Sequence, residues 1–393
     1  MSRKWFAWLI VASCLFIFIN TGCSPPTTAA EATASPSRTP RPPTSTTYPP
    51  TATLTLTSTP TLTATRTPTP TRRPPVTRTR RPTPLPPGRI AFVRITSTGT
   101  DIWVMNDDGS AETRLTSAGW NEKPDLSPDG SRIVFSSSPE IERSNVDIYT
   151  INTDGSGLAR LTDAPETDTF PQWSPDGSKI LYTSGSEIYV MNADGSGKTN
   201  LTRSAASEYF GFWSPDGTKI VFTARSDGNE EVYVMDADGS GRINLSNAPG
   251  MDSVVDHPWS PDGSRIVFDS DRTGNSEVFV VNVDGSGLTN LTNHPASDWA
   301  PKWSPLGGRI AFLSDRAGTE IYLMNPDGSG VNRLATIPCG EFSTEWSPDG
   351  SRIAFACDRD GNNDIFVVNL SNHIPMKLTT DPASDVAPSW SVR

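Results

Sequence analysis

From Gly88 onward the apolar residues come in short runs separated by polar turns, and the runs return in a constant phase. Around Trp173, Pro171-Gln172-Trp173 predicts a short strand, Lys179-Ile180-Leu181-Tyr182 a second, Glu187 to Asn192 a third, and Asn200-Leu201-Thr202 a short outer one. The runs are continuously apolar rather than alternating, as expected of sheets covered on both faces. Between the first two, Ser174-Pro175-Asp176-Gly177 carries hairpin-turn chemistry: Pro sets φ, Asp tolerates the next position and Gly takes the left-handed one. Asp194-Gly195-Ser196-Gly197 predicts a second tight turn.

This four-strand unit repeats. The Trp-Ser-Pro-Asp-Gly phrase recurs at Trp173, Trp213, Trp259 and Trp346. It is altered at Trp303-Ser304-Pro305-Leu306-Gly307 and Leu126-Ser127-Pro128-Asp129-Gly130, and cut short at Trp390-Ser391. Successive anchors lie 47, 40, 46, 44, 43 and 44 residues apart. A period in the forties filled with short strands predicts an all-β fold, a seven-bladed β-propeller of four-stranded blades over residues 88–393. Its first element, Arg89-Ile90-Ala91-Phe92, is a second-strand segment, and its last, Pro388-Ser389-Trp390, an isolated inner strand. The C-terminal strand is therefore expected to close the first blade, removing two sheet edges. Six of the seven inner strands carry Trp. Each buries about 150–250 Å², or about 4–6 kcal/mol at ~25 cal/mol/Å² before entropy.

The Pro-x-Trp-Ser-Pro-Asp-Gly-x-x-Ile-x-Phe and Ile-Tyr-Val-Met-Asn phrases resemble the TolB-type, WD40-like (PD40) propeller repeat, over about residues 88–391. That resemblance implies the fold. Propellers of this group serve as periplasmic interaction platforms, as gating domains of prolyl oligopeptidase-like hydrolases and as polysaccharide lyases, so it implies no single activity. The chain departs from TolB itself in its seven repeats, in lacking that protein's N-terminal globular domain, and in its leader.

That leader, residues 1–23, runs from Arg3-Lys4 through an apolar stretch to Asn20-Thr21-Gly22-Cys23 and resembles a bacterial lipoprotein signal, with Cys23 as the lipidated residue. An ordinary secretion signal or an uncleaved membrane helix is the alternative. Residues 24–87 are dominated by Thr and Pro and cannot bury a core. They predict a disordered stalk lifting an extracytoplasmic ring off a membrane at the cell envelope, to which a lipid anchor would tie it.

Charge narrows the partners. The stalk carries eight Arg and only Glu31, leaving the repeat region 23 basic against 43 acidic residues. Such an acidic body excludes nucleic acid, which needs basic stripes. It suits a cation, a basic peptide segment, an envelope protein or a glycan.

Candidate site residues lie on one face. A carboxylate stands five residues before the anchor Trp at Asp168, Glu208, Asp298, Glu341 and Asp385, with Asn121 and Val254 in the remaining slots. Pointed inward, these acids would ring the channel mouth and suit a cation such as calcium; alternatively each shapes its own loop through backbone hydrogen bonds. No other cofactor is expected. Trp120, Phe170, Tyr209, Phe210, Trp299 and Phe342 stand outside the repeated slots on that face, as partner- or sugar-contacting aromatics or as loop packing. Cys339 and Cys357 flank the last full blade's inner and second strands and are expected to form a disulfide in an oxidising exterior.

Catalysis finds little support. There is no Gly-x-Ser-x-Gly elbow. The Asn192-x-Asp194-Gly195 motif lacks the later carboxylate of a calcium loop, and Gly197-Lys198-Thr199 lacks the first Gly and following helix of a phosphate loop. The expectation is a monomeric, non-enzymatic binding protein. The alternative is a metal-dependent polysaccharide lyase or other hydrolase using His257, His294 and the acidic loops.

Overall fold

The structure, a computed structural model, describes residues 88–139, 145–226, 228–334, 343–359 and 361–390. The leader, the stalk, Cys23, Cys339, Glu341 and Phe342 lie outside the described residues. The described residues form strands and turns with no helix.

Each repeat folds as its turn chemistry dictates. At the Trp173 hairpin the Ser174 hydroxyl donates to Asp176 at 2.6 Å and accepts from the Lys179 amide at 2.9 Å. Gly177 closes the turn at φ 69°, where a Cβ would be strained. At the next hairpin Asp194 accepts from the amide and hydroxyl of Ser196 at 2.9 and 2.6 Å. The Leu-Thr that follows the outer strands Ala159–Arg160 and Pro375–Lys377 also has a structural cause. The hydroxyl of Thr162 accepts the Ile148 amide at 2.9 Å and donates to Asp147 at 3.3 Å, and Thr379 repeats both contacts with Ile365 and Asp364 at the same distances.

Sheets pack face to face through the inner-strand tryptophans. Trp173 sits among Val134 and Ile148 of the preceding sheet and Ile180 of its own. Trp390 does the same between Ile365 and Ile90. Aromatic pairs such as Phe222–Tyr233, at 5.7 Å, hold the middle strands of a sheet together.

The strands form five separate four-stranded sheets and one eight-stranded sheet, which corrects the expected seven separate four-stranded blades. Within the large sheet, Gly99–Asn106 and Trp120–Leu126 are joined by one parallel bridge, Thr100 to Trp120. Glycine makes that approach feasible: a Cβ on Gly99 would lie 2.3 Å from the Gly119 carbonyl oxygen, and one on Gly119 2.3 Å from that of Ser138. The C-terminal strand Ser384–Trp390 pairs antiparallel with Arg89–Thr96, so the two ends of the described chain share one sheet.

Five of the strand pairings shift register near the inner strands, each at a bulge. Lys123, Phe170, Phe210, Ala300 and Ala387 occupy these bulges with φ between 51° and 55°. The Trp259 repeat is different. Its inner strand is only Asp252–Ser253, and residues 254–257 leave the ladder before Pro258 and Trp259 rejoin it opposite Val267 and Ile266.

Candidate functional site

The structure does not present the expected open ring of carboxylates. Asp168, Glu208, Asp298 and Asp385 are all buried, with exposures of 0–1%. Three hold arginines: Glu208 pairs with Arg242 at 2.8 Å, Asp298 with Arg316 at 2.6 Å and Asp385 with Arg94 at 2.7 Å. Burial pushes the Asp168 carboxyl up, against hydrogen bonds from Ser184 and Thr162. Asn121 shapes its loop through the carbonyls of Thr100 and Ala118. Val254 is not the acid slot of its repeat. Asp252 fills it, opposite Ser270 and paired with Arg272 at 2.8 Å, because residues 254–258 contain a two-residue insertion relative to the Trp173 repeat. These acids are internal latches, since a buried carboxylate needs a partner.

The aromatics are brought together in part. Phe210 stands edge-on to both Phe170 and Tyr209, with ring centroids 4.8 and 5.0 Å apart, and the Lys123 ammonium lies 5.1 Å from the Phe170 ring. Burial, with a hydrogen bond to Glu230, raises the Tyr209 phenol. Trp120 and Trp299 are half-buried on other sheets.

A second constellation lies deeper along the inner strands. Asp125, Lys302 and Glu345 each occupy the position just before an anchor residue, on Trp120–Leu126, Asp298–Trp303 and Thr344–Trp346. Asp256 and His257 reach them from the irregular segment of the Trp259 repeat. His257 Nε2 meets Glu345 Oε1 at 2.7 Å, and Lys302 Nζ lies 3.3 Å from Asp256 and 3.6 Å from the second Glu345 oxygen. Lys302 also donates to the Thr344 carbonyl. Asp125 accepts the Trp173 amide at 2.8 Å.

Lys302 and Glu345 are buried, but the side chains of Asp256 and His257 keep 60% and 46% of their exposure. Asp256 and His257 are therefore open to solvent on one side while the groups they pair with are covered. The electrostatics follow. Burial pushes Asp125 up to about 7, with Glu345 and Asp256 adding to it and the Trp173 amide and His257 opposing. Burial opposes charge on His257, but Glu345 outweighs it and the imidazole is raised. Asp256 is lowered, because Lys302, His257 and Lys123 together overcome its burial.

Among these groups sequence reasoning singled out only His257, and paired it with His294. The structure instead turns His257 to Glu345, while His294 serves its own loop, accepting the Ala296 amide at Nδ1. The missed signal was a charged residue directly before the anchor, where other repeats carry Gln172, Phe212 or Ser389. Among the described residues no three His, Cys, Asp or Glu side chains gather to hold a metal ion. Cys357 is buried and disulfide-bonded, its partner lying outside the described residues.

The family model for the TolB beta propeller domain (PD40) matches residues 82–186 and 240–345. A curated, uncharacterised protein of Agrobacterium fabrum is 35% identical over 85 residues, 21% of this chain; the match spans 28% of that relative's length. Among solved structures, a puromycin hydrolase S511A mutant complexed with PGG superposes with a TM-score of 0.62 at 17% identity, covering 75% of this chain and 53% of that one. An oligogalacturonate lyase in complex with manganese gives 0.54 at 14% identity, covering 74% and 84%. At these identities the likeness is one of fold.

Proposed function

The chain belongs to the TolB beta propeller domain family, and on that footing we propose that it is a non-enzymatic binding platform whose ligand enters the central channel. The observation that carries this reading is the convergence of Asp125, Asp256, His257, Lys302 and Glu345 from four repeats. Such groups offer both signs of charge to a ligand, and Lys123, which lies over Phe170 and acts on Asp256, connects them to the Phe170–Phe210–Tyr209 cluster as an apolar contact. Basic peptide segments, envelope proteins and glycans suit that combination.

In the same reading the eight-stranded sheet acts as two blades fused by a single bridge, so the ring counts seven, sealed by Ser384–Trp390. The ring is exported, anchored through Cys23 and carried on the 24–87 stalk, and Cys339 is the partner of Cys357.

The lyase or hydrolase alternative is weaker. His257 is committed to Glu345 and His294 to its own loop, so the pair it requires is not assembled. The test immobilises the full chain and its K302M/E345Q variant against solubilised envelope fractions and glycan arrays, beside an assay of uronate polymers for cleavage. Retention on the wild type and loss on the variant supports binding. Chelator-sensitive cleavage abolished by H257A overturns it.

A further inference from the structure

Residues 254–258 are anchored at both ends and carry their charges between the anchors. Val254 is fully buried, and its amide donates to the Thr223 hydroxyl of the preceding sheet at 3.3 Å. At the other end the Pro258 carbonyl accepts the Val267 amide at 2.8 Å, and Trp259 is buried in the core. Between them Asp256 and His257 leave the ladder. His257 holds φ at 56° directly before Pro258, a left-handed conformation that costs a non-glycine residue and disfavours a pre-proline one.

Contacts beyond its own sheet hold the segment there. The His257 carbonyl accepts the Trp303 amide at 3.0 Å, Asp256 reaches Lys302, and the His257 ring passes to Glu345 two repeats away. Two successive residues thus clasp two successive inner strands.

We propose that residues 254–258 are a strap across the inner wall of the channel, latched by the His257–Glu345 and Asp256–Lys302 pairs and released when His257 loses its proton. Release would relax the strained His257 backbone and free the Glu345 carboxylate. The charged groups facing His257 are Glu345 on Thr344–Trp346, Lys302 on Asp298–Trp303, Asp256 beside it, and Asp125 on Trp120–Leu126. Glu345 and Asp256 favour the imidazolium and Lys302 opposes it, so the latch is closed at acidic pH and opens as pH rises through the histidine's raised titration point. The inference needs no ligand, so it can fail while the binding reading stands.

The test combines imidazole NMR with hydrogen exchange on the full chain, whose only histidines are His257, His294 and His373. His257 is expected to titrate above the ordinary histidine value of about 6.5. E345Q is expected to lower that point and K302M to raise it. Exchange at the amides of Val255, Asp256 and His257, corrected for intrinsic rate, is expected to rise about tenfold between pH 5.5 and 8.5. H257Q should exchange fast at both pH values, and D125N should keep the transition. Protection unchanged across that range in the wild type, or a strap still protected in both E345Q and H257Q, overturns the proposal.

Discussion

Arg94 and Asp385 lie 291 positions apart in sequence and form a buried two-point contact, Nε to Oδ1 at 2.7 Å and Nη2 to Oδ2 at 2.8 Å. The pair joins the first described strand to the last and locks the register that closes the ring. Replacing one member strands the other charge, at about 3–5 kcal/mol. R94M and D385N are therefore expected to lower the denaturation midpoint sharply, and ending the chain at residue 383 to abolish cooperative unfolding. A truncated chain with an unchanged midpoint would refute the closure.

Hydroxyls just beyond the outer strands make a second, repeated lock. T162V and T379V keep shape but remove the acceptor of a buried amide and the donor to a buried carboxylate. Each is expected to cost about 1–3 kcal/mol. S196A, in an exposed turn, should cost well under that. Urea unfolding with unchanged slope measures the difference.

Stability should peak in mildly acidic solution. Burial pushes Asp125 and Asp269 each up to about 7, so the folded chain holds protons that the unfolded chain releases near pH 4. Stability falls as pH rises toward and through 7, and the raised His257 acts in the same direction. On the acid side, Ser hydroxyls and amides hold the turn carboxylates Asp129, Asp176 and Asp262 near 2. Their contribution disappears as pH drops from about 4 toward 2. Thermal melts from pH 2 to 9 check the curve, and D125N should flatten its alkaline limb.

If Cys339 is the partner of Cys357, reduction opens a short loop. The chain-entropy model gives about 3 kcal/mol for a loop of that size. Melting with and without reductant, compared with C339S, measures it; an unchanged midpoint would point to another partner.

The fold was legible because each repeat states its own turns. The Ser-Pro-Asp-Gly and Asp-Gly-Ser phrases are local chemistry, and the phase of Arg89 against Trp390 revealed the closure. Fusion of two units into one sheet was not legible, since it depends on Gly99 and Gly119 meeting in space. The candidate site was legible only in part. A carboxylate spaced five residues before Trp looks the same whether it faces solvent or an arginine, and only the fold shows Asp298 turned to Arg316. The Asp125–His257–Lys302–Glu345 cluster draws on four separate repeats; three members share the slot before the anchor residue, but nothing in the sequence shows that these slots meet in space or that His257 joins them.

Photo-crosslinking in intact producing cells separates binding at the charged cluster from binding elsewhere. A photoreactive phenylalanine analogue replaces Phe170 beside Lys123 or, as control, exposed Leu158 near an outer strand. One discrete adduct is expected from position 170, reduced at least tenfold by K302M/E345Q, and none shared with position 158. A specific adduct at position 158 with none at 170, or an adduct at 170 indifferent to the loss of Lys302 and Glu345, would contradict binding at the cluster.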